Sequence, residues 1–169
     1  MEANKNDRDG RAKELGDLSV ISFEDSMKGH GIQVERTPFS EDVYDHIDYW
    51  ITRGKKISVD LKSLKRISRS DAKPQNKKIW VEFKNVQGKD GWILGKADYI
   101  CLEQPFHFLF VKREDLLDFC RKYVKNEKVS SAKDAEYKLY TRRGRKDVIS
   151  IVDLADIIGN CSSIFMLSK

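Results

Sequence analysis

Between Arg11 and Gly29 the apolar positions Leu15, Leu18, Ile21 and Phe23 recur at helical spacing, and Gly29 and Gly31 punctuate the end, which predicts an amphipathic opening helix. The pattern then shifts to short extended runs. Gly31–Thr37 reads as a strand stopped by Pro38, and a polar loop leads into a second strand over Tyr44–Ile51. Thr52–Lys55 is a tight turn containing Gly54, and Lys56–Ser63 alternates its residues between two faces, so the two runs predict a hairpin. Leu64–Lys77, basic and polar and carrying Pro74, reads as a mobile loop before a strand over Lys78–Asn85 and a turn over Gln87–Gly91. Phe106–Val111 is a continuous apolar run of the kind buried on both faces, and Glu114–Val124 is a helix with acidic residues in its first turn. Tyr137–Thr141 and Val148–Val152 flank the basic turn Arg142–Lys146 as a hairpin, and a short helix and strand close the chain. These elements predict an α/β protein with a mixed central β-sheet flanked by helices.

Length and composition add three constraints. The 169 residues, without repeats or a low-complexity linker, read as a single domain, 1–169. No apolar run reaches the roughly 18 residues that span a bilayer, and the first sixteen residues lack the apolar segment of a secretory signal, so an intracellular, cytoplasmic protein without a membrane partner is expected. Cys101, Cys120 and Cys161 form no C-x-x-C pair, and His30, His46 and His107 no H-x-x-x-H pair; disulfides and thiolate or imidazole metal sites are not expected.

Charge is distributed unevenly. The net +5 conceals a stretch from Arg53 to Lys89 with twelve Lys and Arg against three acidic residues; that stretch carries +9 and the rest of the chain −4. Localised positive charge suits a phosphate backbone. Lys65, Arg66, Arg69, Lys73, Lys77 and Lys78 follow directly on the predicted hairpin and could close over nucleic acid. Arg142, Arg143, Arg145 and Lys146 form a second basic turn suited to phosphate contact.

The hairpin itself carries candidate chemistry. Metal-assisted phosphodiester cleavage needs hard oxygen ligands, a cation near the water or phosphate, and rigid elements to hold them. Asp48 lies on the first strand and Asp60 on the second, across the turn at Gly54, and alternation puts Lys62 on the same face as Asp60, roughly 7 Å along the strand. Glu82 and Lys84 form a second acid-x-Lys pair, with Asp60 as its preceding carboxylate; the first register is preferred because it uses a tight hairpin and leaves Glu82 available as an additional ligand. Asp45 is expected on the opposite face from Asp48, Asp98 at a local turn, and Trp50, Trp80 and Trp92 in the core.

Gly31–Pro38, Asp48 and Val59–Ser63 together resemble the PD-(D/E)XK nuclease superfamily, in particular its archaeal Holliday-junction resolvase and phage endonuclease branches. The likeness covers roughly residues 11–125 and implies a restriction-endonuclease-like α-β-β-β-α-β core, with residues 126–169 as a C-terminal β-hairpin extension. It implies Asp48, Asp60 and the Leu61 carbonyl as ligands of Mg²⁺ or Mn²⁺, and Lys62 orienting or activating the water. It also implies products with 5′-phosphate ends, branched or structured DNA as substrate, a role in DNA recombination or repair, and a homodimer. Ile47 stands where the motif often has proline, and Glu24 is the opening helix's candidate for the extra acidic ligand of some branches. An RNA endonuclease of the same fold, or a non-catalytic nucleic-acid-binding or inhibitor protein, are the competing expectations.

Overall fold

The computed structural model describes residues 11–68 and 71–169. It is a mixed α/β structure whose elements run α1 (Arg11–Gly29), β1 (Gln33–Arg36), α2 (Phe39–Asp45), β2 (Tyr49–Arg53), β3 (Lys55–Lys62), β4 (Lys78–Lys84), β5 (Tyr99–Glu103), β6 (His107–Lys112), α3 (Arg113–Tyr123), β7 (Lys125–Val129), β8 (Lys138–Tyr140), β9 (Val148–Asp153), α4 (Leu154–Asn160) and β10 (Ile164–Ser168). Two mixed sheets result. One has six strands in the order β1-β2-β3-β5-β6-β10, the other four in the order β4-β9-β8-β7.

The expected opening helix and hairpin are present. β2 and β3 pair antiparallel with Tyr49 opposite Val59 and Arg53 opposite Lys55, and Gly54 makes the turn between them at φ +82°, a conformation glycine adopts without penalty. The second strand is shorter than expected. Phe39–Asp45 coils into α2, and the chain becomes extended again only at Asp48, whose N–H donates to Val59 O at 2.9 Å. The sequence also expected one central sheet. β4 instead leaves β3 and pairs antiparallel with β9 in the second sheet, while β3 pairs parallel with β5, a strand the sequence reading passed over. The residues after 125 enter both sheets, β7, β8 and β9 the second and β10 the edge of the first.

Period-two alternation on the central strands builds two cores. Val59, Cys101, Phe108 and Phe110 face α1, where they meet Phe23 and Met27. Ile100, Leu102, Leu109 and Val111 face the other way, against Val81 and Val152 of the second sheet and Leu116 and Phe119 of α3. Strands β5 and β6 are therefore buried on both faces, and each large apolar side chain sealed there is worth about 1.5–3 kcal/mol. Asp60 and Lys62 are registered against Ile100 and Leu102, so they lie on the face turned toward the second sheet. Among the described residues no helix is long and apolar enough to cross a membrane, and Cys101, Cys120 and Cys161 are free.

Candidate active site

Asp48, Asp60 and Lys62 come together on the side of β3 turned toward the second sheet, with Glu82 within electrostatic reach of Lys62. Asp60 is 1% exposed. Its Oδ1 receives Lys62 Nζ at 2.6 Å, as the same-face spacing required, and its Oδ2 is buried without a hydrogen-bond partner. Asp48 comes from the residue just before β2 and is fixed by the hairpin: its Oδ2 accepts the Leu61 N–H at 2.7 Å. The Asp48 carboxylate also bears on Asp60, because two carboxyl groups at hydrogen-bonding range repel unless a proton or a cation lies between them.

This environment sets the ionisation of the site. Burial, reinforced by the charge of Asp48 and opposed by Lys62, pushes the Asp60 carboxyl up to about 8. Burial lowers the Lys62 ammonium, but the carboxylates of Asp60, Asp48 and Glu82 outweigh it and hold Lys62 above its ordinary value. Burial raises Glu82 as well, against the opposing pull of Lys62, Arg142, Lys65 and His46. Glu82 lies on β4 of the second sheet, within electrostatic reach of Lys62. Its position depends on Gly91: a Cβ there would run into the Glu82 carbonyl and come within 2.8 Å of Glu82 Cγ.

Other expected residues fall elsewhere. Lys84 is exposed, and the register of β4 against β9 shifts between Glu82 and Lys84, so same-face alternation does not carry from one to the other. Glu24 is engaged by Arg36 at 2.5 Å and the Tyr49 hydroxyl at 3.1 Å. Asp45 pairs with Lys96 at 2.8 Å, and Asp98, expected at a local turn, instead accepts the Ser58 N–H and hydroxyl of β3 at 2.8 and 2.9 Å. Lys65, Lys73 and Lys77 are exposed along the loop after β3, and Arg66 is half-buried; Lys78 is tied to Glu136 at 2.5 Å, and Arg69 lies outside the described residues. Arg142 pairs with the fully buried Asp147, while Arg143 and Lys146 are exposed and Arg145 is half-buried. Since Arg142 also acts on Glu82 and Lys65, the two basic segments meet at the acidic cluster.

Two nearby residues were not anticipated. Asp42 of α2 lies against Asp48; burial and the Asp48 carboxylate raise its pKa. His46 adopts a left-handed backbone at φ +54° between α2 and Asp48, and its charge bears on both Asp42 and Glu82. The run Asp42-Val43-Tyr44-Asp45-His46-Ile47-Asp48 holds three acids and a histidine in seven residues, a density that could have marked it.

Among the described residues no three His, Cys, Asp or Glu groups are set to hold a metal ion as they stand. Two carboxylates are nonetheless sufficient protein ligands for Mg²⁺, which keeps several waters and takes its remaining oxygens from a phosphate. The unpartnered Asp60 Oδ2 beside Asp48 is an oxygen that a hard cation would satisfy. No family model, characterised protein or solved structure matches this chain.

Proposed function

We propose that this chain is a metal-dependent endonuclease of the PD-(D/E)XK type that hydrolyses phosphodiester bonds in DNA, leaving 5′-phosphate and 3′-hydroxyl ends. The observation that carries the reading is Asp60: a carboxylate sealed between two sheets, one oxygen on Lys62 and the other unpartnered beside Asp48. Such a buried acid pair needs either the proton that Asp60 keeps up to about pH 8 or a cation in its place. The connectivity supports the same reading, since α1, the β1-β2-β3 meander and a return to β5 parallel to β3 follow the order of a restriction-endonuclease-like core. It departs from that order twice: α2 interrupts the run between β1 and β2, and β4 stands in the crossover in place of a helix.

Asp48 and Asp60 would hold a Mg²⁺ or Mn²⁺ ion, with the Leu61 carbonyl as the further oxygen the resemblance supplies and Glu82 as an additional one from the second sheet. A cation bound there polarises the phosphate and acidifies a coordinated water. The chain's own groups set the conditions. The Leu61 N–H fixes the Asp48 carboxylate, so the ligand does not have to be ordered when substrate arrives. Asp60, whose carboxyl is raised to about 8, would release its proton to solvent for a cation to bind there. Lys62, held charged by three carboxylates, stands beside Asp60 to orient the attacking water or balance charge on the phosphate. The basic loop after β3 and the turn at Arg142–Lys146 bind the flanking backbone.

The test is cleavage of labelled linear, single-stranded and four-way-junction DNA, with an RNA control, in Mg²⁺, Mn²⁺ and EDTA. Metal-dependent cutting of DNA that Asp60→Ala abolishes is the expected result. Salt-sensitive binding without cutting of any substrate would replace this reading with that of a binding protein.

A further inference from the structure

Beyond Lys62, away from Asp60, a cleft opens between the C-terminal ends of β3 and β5 and the start of β4. Its interior volume is ≈ 50 Å³, and it opens to solvent. Resting on the nuclease reading above, we propose that this cleft receives an unpaired nucleobase adjoining the phosphodiester that is cut, so that the preferred substrate carries a splayed-out nucleotide.

The lining has the chemistry of such a ligand. Trp80 and Trp92 supply aromatic walls above an apolar floor of Ile79 and Leu102. Both walls are held in place. Trp92 is 8% exposed, and Trp80 donates its indole N–H to Ile67 O at 3.3 Å while packing 6.3 Å from the Tyr140 ring. The polar groups divide into scaffold and rim. Gln75 spends its carboxamide on the backbone of Lys77 and Lys78 and is scaffold. Gln104 is buried and donates to the Glu103 carbonyl at 2.8 Å, so it is scaffold too; Asn76, exposed on the loop, places its carboxamide at the rim, where base edges are read. Lys65, exposed beside it, offers a cation to a neighbouring phosphate.

Lys62 links the cleft to the chemistry. Its ammonium is 2.6 Å from Asp60 Oδ1 and 5.4 Å from the centroid of the Trp92 ring, so the candidate reacting centre and the aromatic wall are separated by a single side chain. A phosphate held at Asp60 and Lys62 would have its own or the adjacent base at the mouth of the cleft. Stacked bases inside a continuous duplex cannot enter it, whereas an unpaired base costs little to extrude. The crevice at the carboxyl ends of parallel strands is also where open α/β sheets commonly bind ligands.

The experiment has two arms that fail separately. In EDTA, an oligonucleotide with 2-aminopurine at a single-nucleotide bulge is titrated with wild type, Trp80→Ala, Trp80→Phe and Asn76→Ala. Quenching of the 2-aminopurine by wild type and Trp80→Phe, lost in Trp80→Ala and weakened in Asn76→Ala, is the expected result; Asn76→Ala tests the site even where Trp80→Ala disturbs folding. In Mg²⁺, the bulge is expected to be cut about tenfold or more faster than the same bulge with an abasic nucleotide, and Trp80→Ala to remove that preference. Equal, Asp60-dependent cutting of the base and abasic bulges, with no quenching, would overturn the base pocket and leave the nuclease standing. Quenching without cutting would sustain the pocket and overturn the nuclease; neither signal would overturn both.

Discussion

The Asp48 carboxylate accepts the backbone N–H of Leu61 at 2.7 Å, across the hairpin and onto the residue that lies between Asp60 and Lys62. One bond therefore ties Asp48 to the strand that carries Asp60 and Lys62. It fixes Asp48 relative to β3 and keeps its carboxylate close enough to Asp60 to act on it. Because the donor is a backbone group of a strand paired on both sides, the geometry does not depend on a mobile side chain.

Asp48→Asn and Asp48→Ala separate the structural part of this bond from the chemical part. Asparagine keeps an acceptor for Leu61, so Asp48→Asn is expected to melt within about 1 kcal/mol of wild type. Alanine removes a charge-assisted hydrogen bond and is expected to cost about 1.5–3 kcal/mol. Cleavage should fall by more than about 100-fold in both, since even outer-shell partners of a metal cost about 10–100-fold. Chemical denaturation beside a cleavage assay checks this; an active Asp48→Asn would remove Asp48 from the ligand set.

Asp60 predicts an unusual pH dependence of stability. Its carboxyl titrates at about 8 in the folded protein, chiefly through burial, whereas in the unfolded chain it reverts to the ordinary carboxylate range. Between those limits the folded protein keeps a proton that the unfolded chain has released. Stability from this group is thus fully present at acid pH and is lost as pH rises toward 8, at about 1.4 kcal/mol per pH unit. Thermal melts in EDTA between pH 5 and 9 should show the decline in wild type and lose it in Asp60→Asn. Millimolar Mn²⁺ should flatten it too, because the cation takes the proton's place; a wild-type profile identical to that of Asp60→Asn would show that Asp60 ionises freely.

The hairpin was legible because its signals are local. Gly54 marks the turn, alternation over Lys56–Ser63 gives the faces, and the acid and lysine two residues apart fall on one of them. The helix over Arg11–Gly29 was legible for the same reason. The partner of β4 was not: β9 lies more than sixty residues downstream, and nothing in the Lys78–Lys84 pattern distinguishes one antiparallel neighbour from another. Strand β5 was missed although Ile100-Cys101-Leu102 is apolar, because a strand buried on both faces lacks alternation and its run is short. Asp42 and His46 were missed because Phe39–Asp45 reads as a polar loop. A seven-residue helix carries too few turns for periodicity to appear.

The choice between the two acid-x-Lys pairs is directly measurable. Lys62 touches Asp60, whereas Lys84 is exposed beyond a register shift. Lys62→Ala is expected to lower kcat by about 10²-fold or more, and Lys84→Ala to change it by no more than about twofold. Glu82→Gln should fall between them, with the loss partly restored at higher Mn²⁺ if Glu82 completes the ligand set. Reversal of the two lysine results would transfer the chemistry to Glu82 and Lys84.

The basic turn needs a more careful variant than its charge suggests. Arg142 is the partner of Asp147, which is 0% exposed and also receives the Arg142 N–H at 2.9 Å, so Arg142→Ala would strand a buried carboxylate. That loss is expected to cost about 3 kcal/mol of stability, and any loss of binding would then report misfolding. Arg143 and Lys146 are exposed on the same turn and carry no such burden. Arg143→Ala with Lys146→Ala should leave the melting temperature within about 2 °C of wild type while weakening DNA binding. If both side chains contact phosphates, the slope of log K against log salt should become shallower by roughly 1 for each charge removed. An unchanged slope would place the nucleic-acid backbone along the loop after β3 alone, leaving the turn at Arg142–Lys146 to position Glu82 through Arg142.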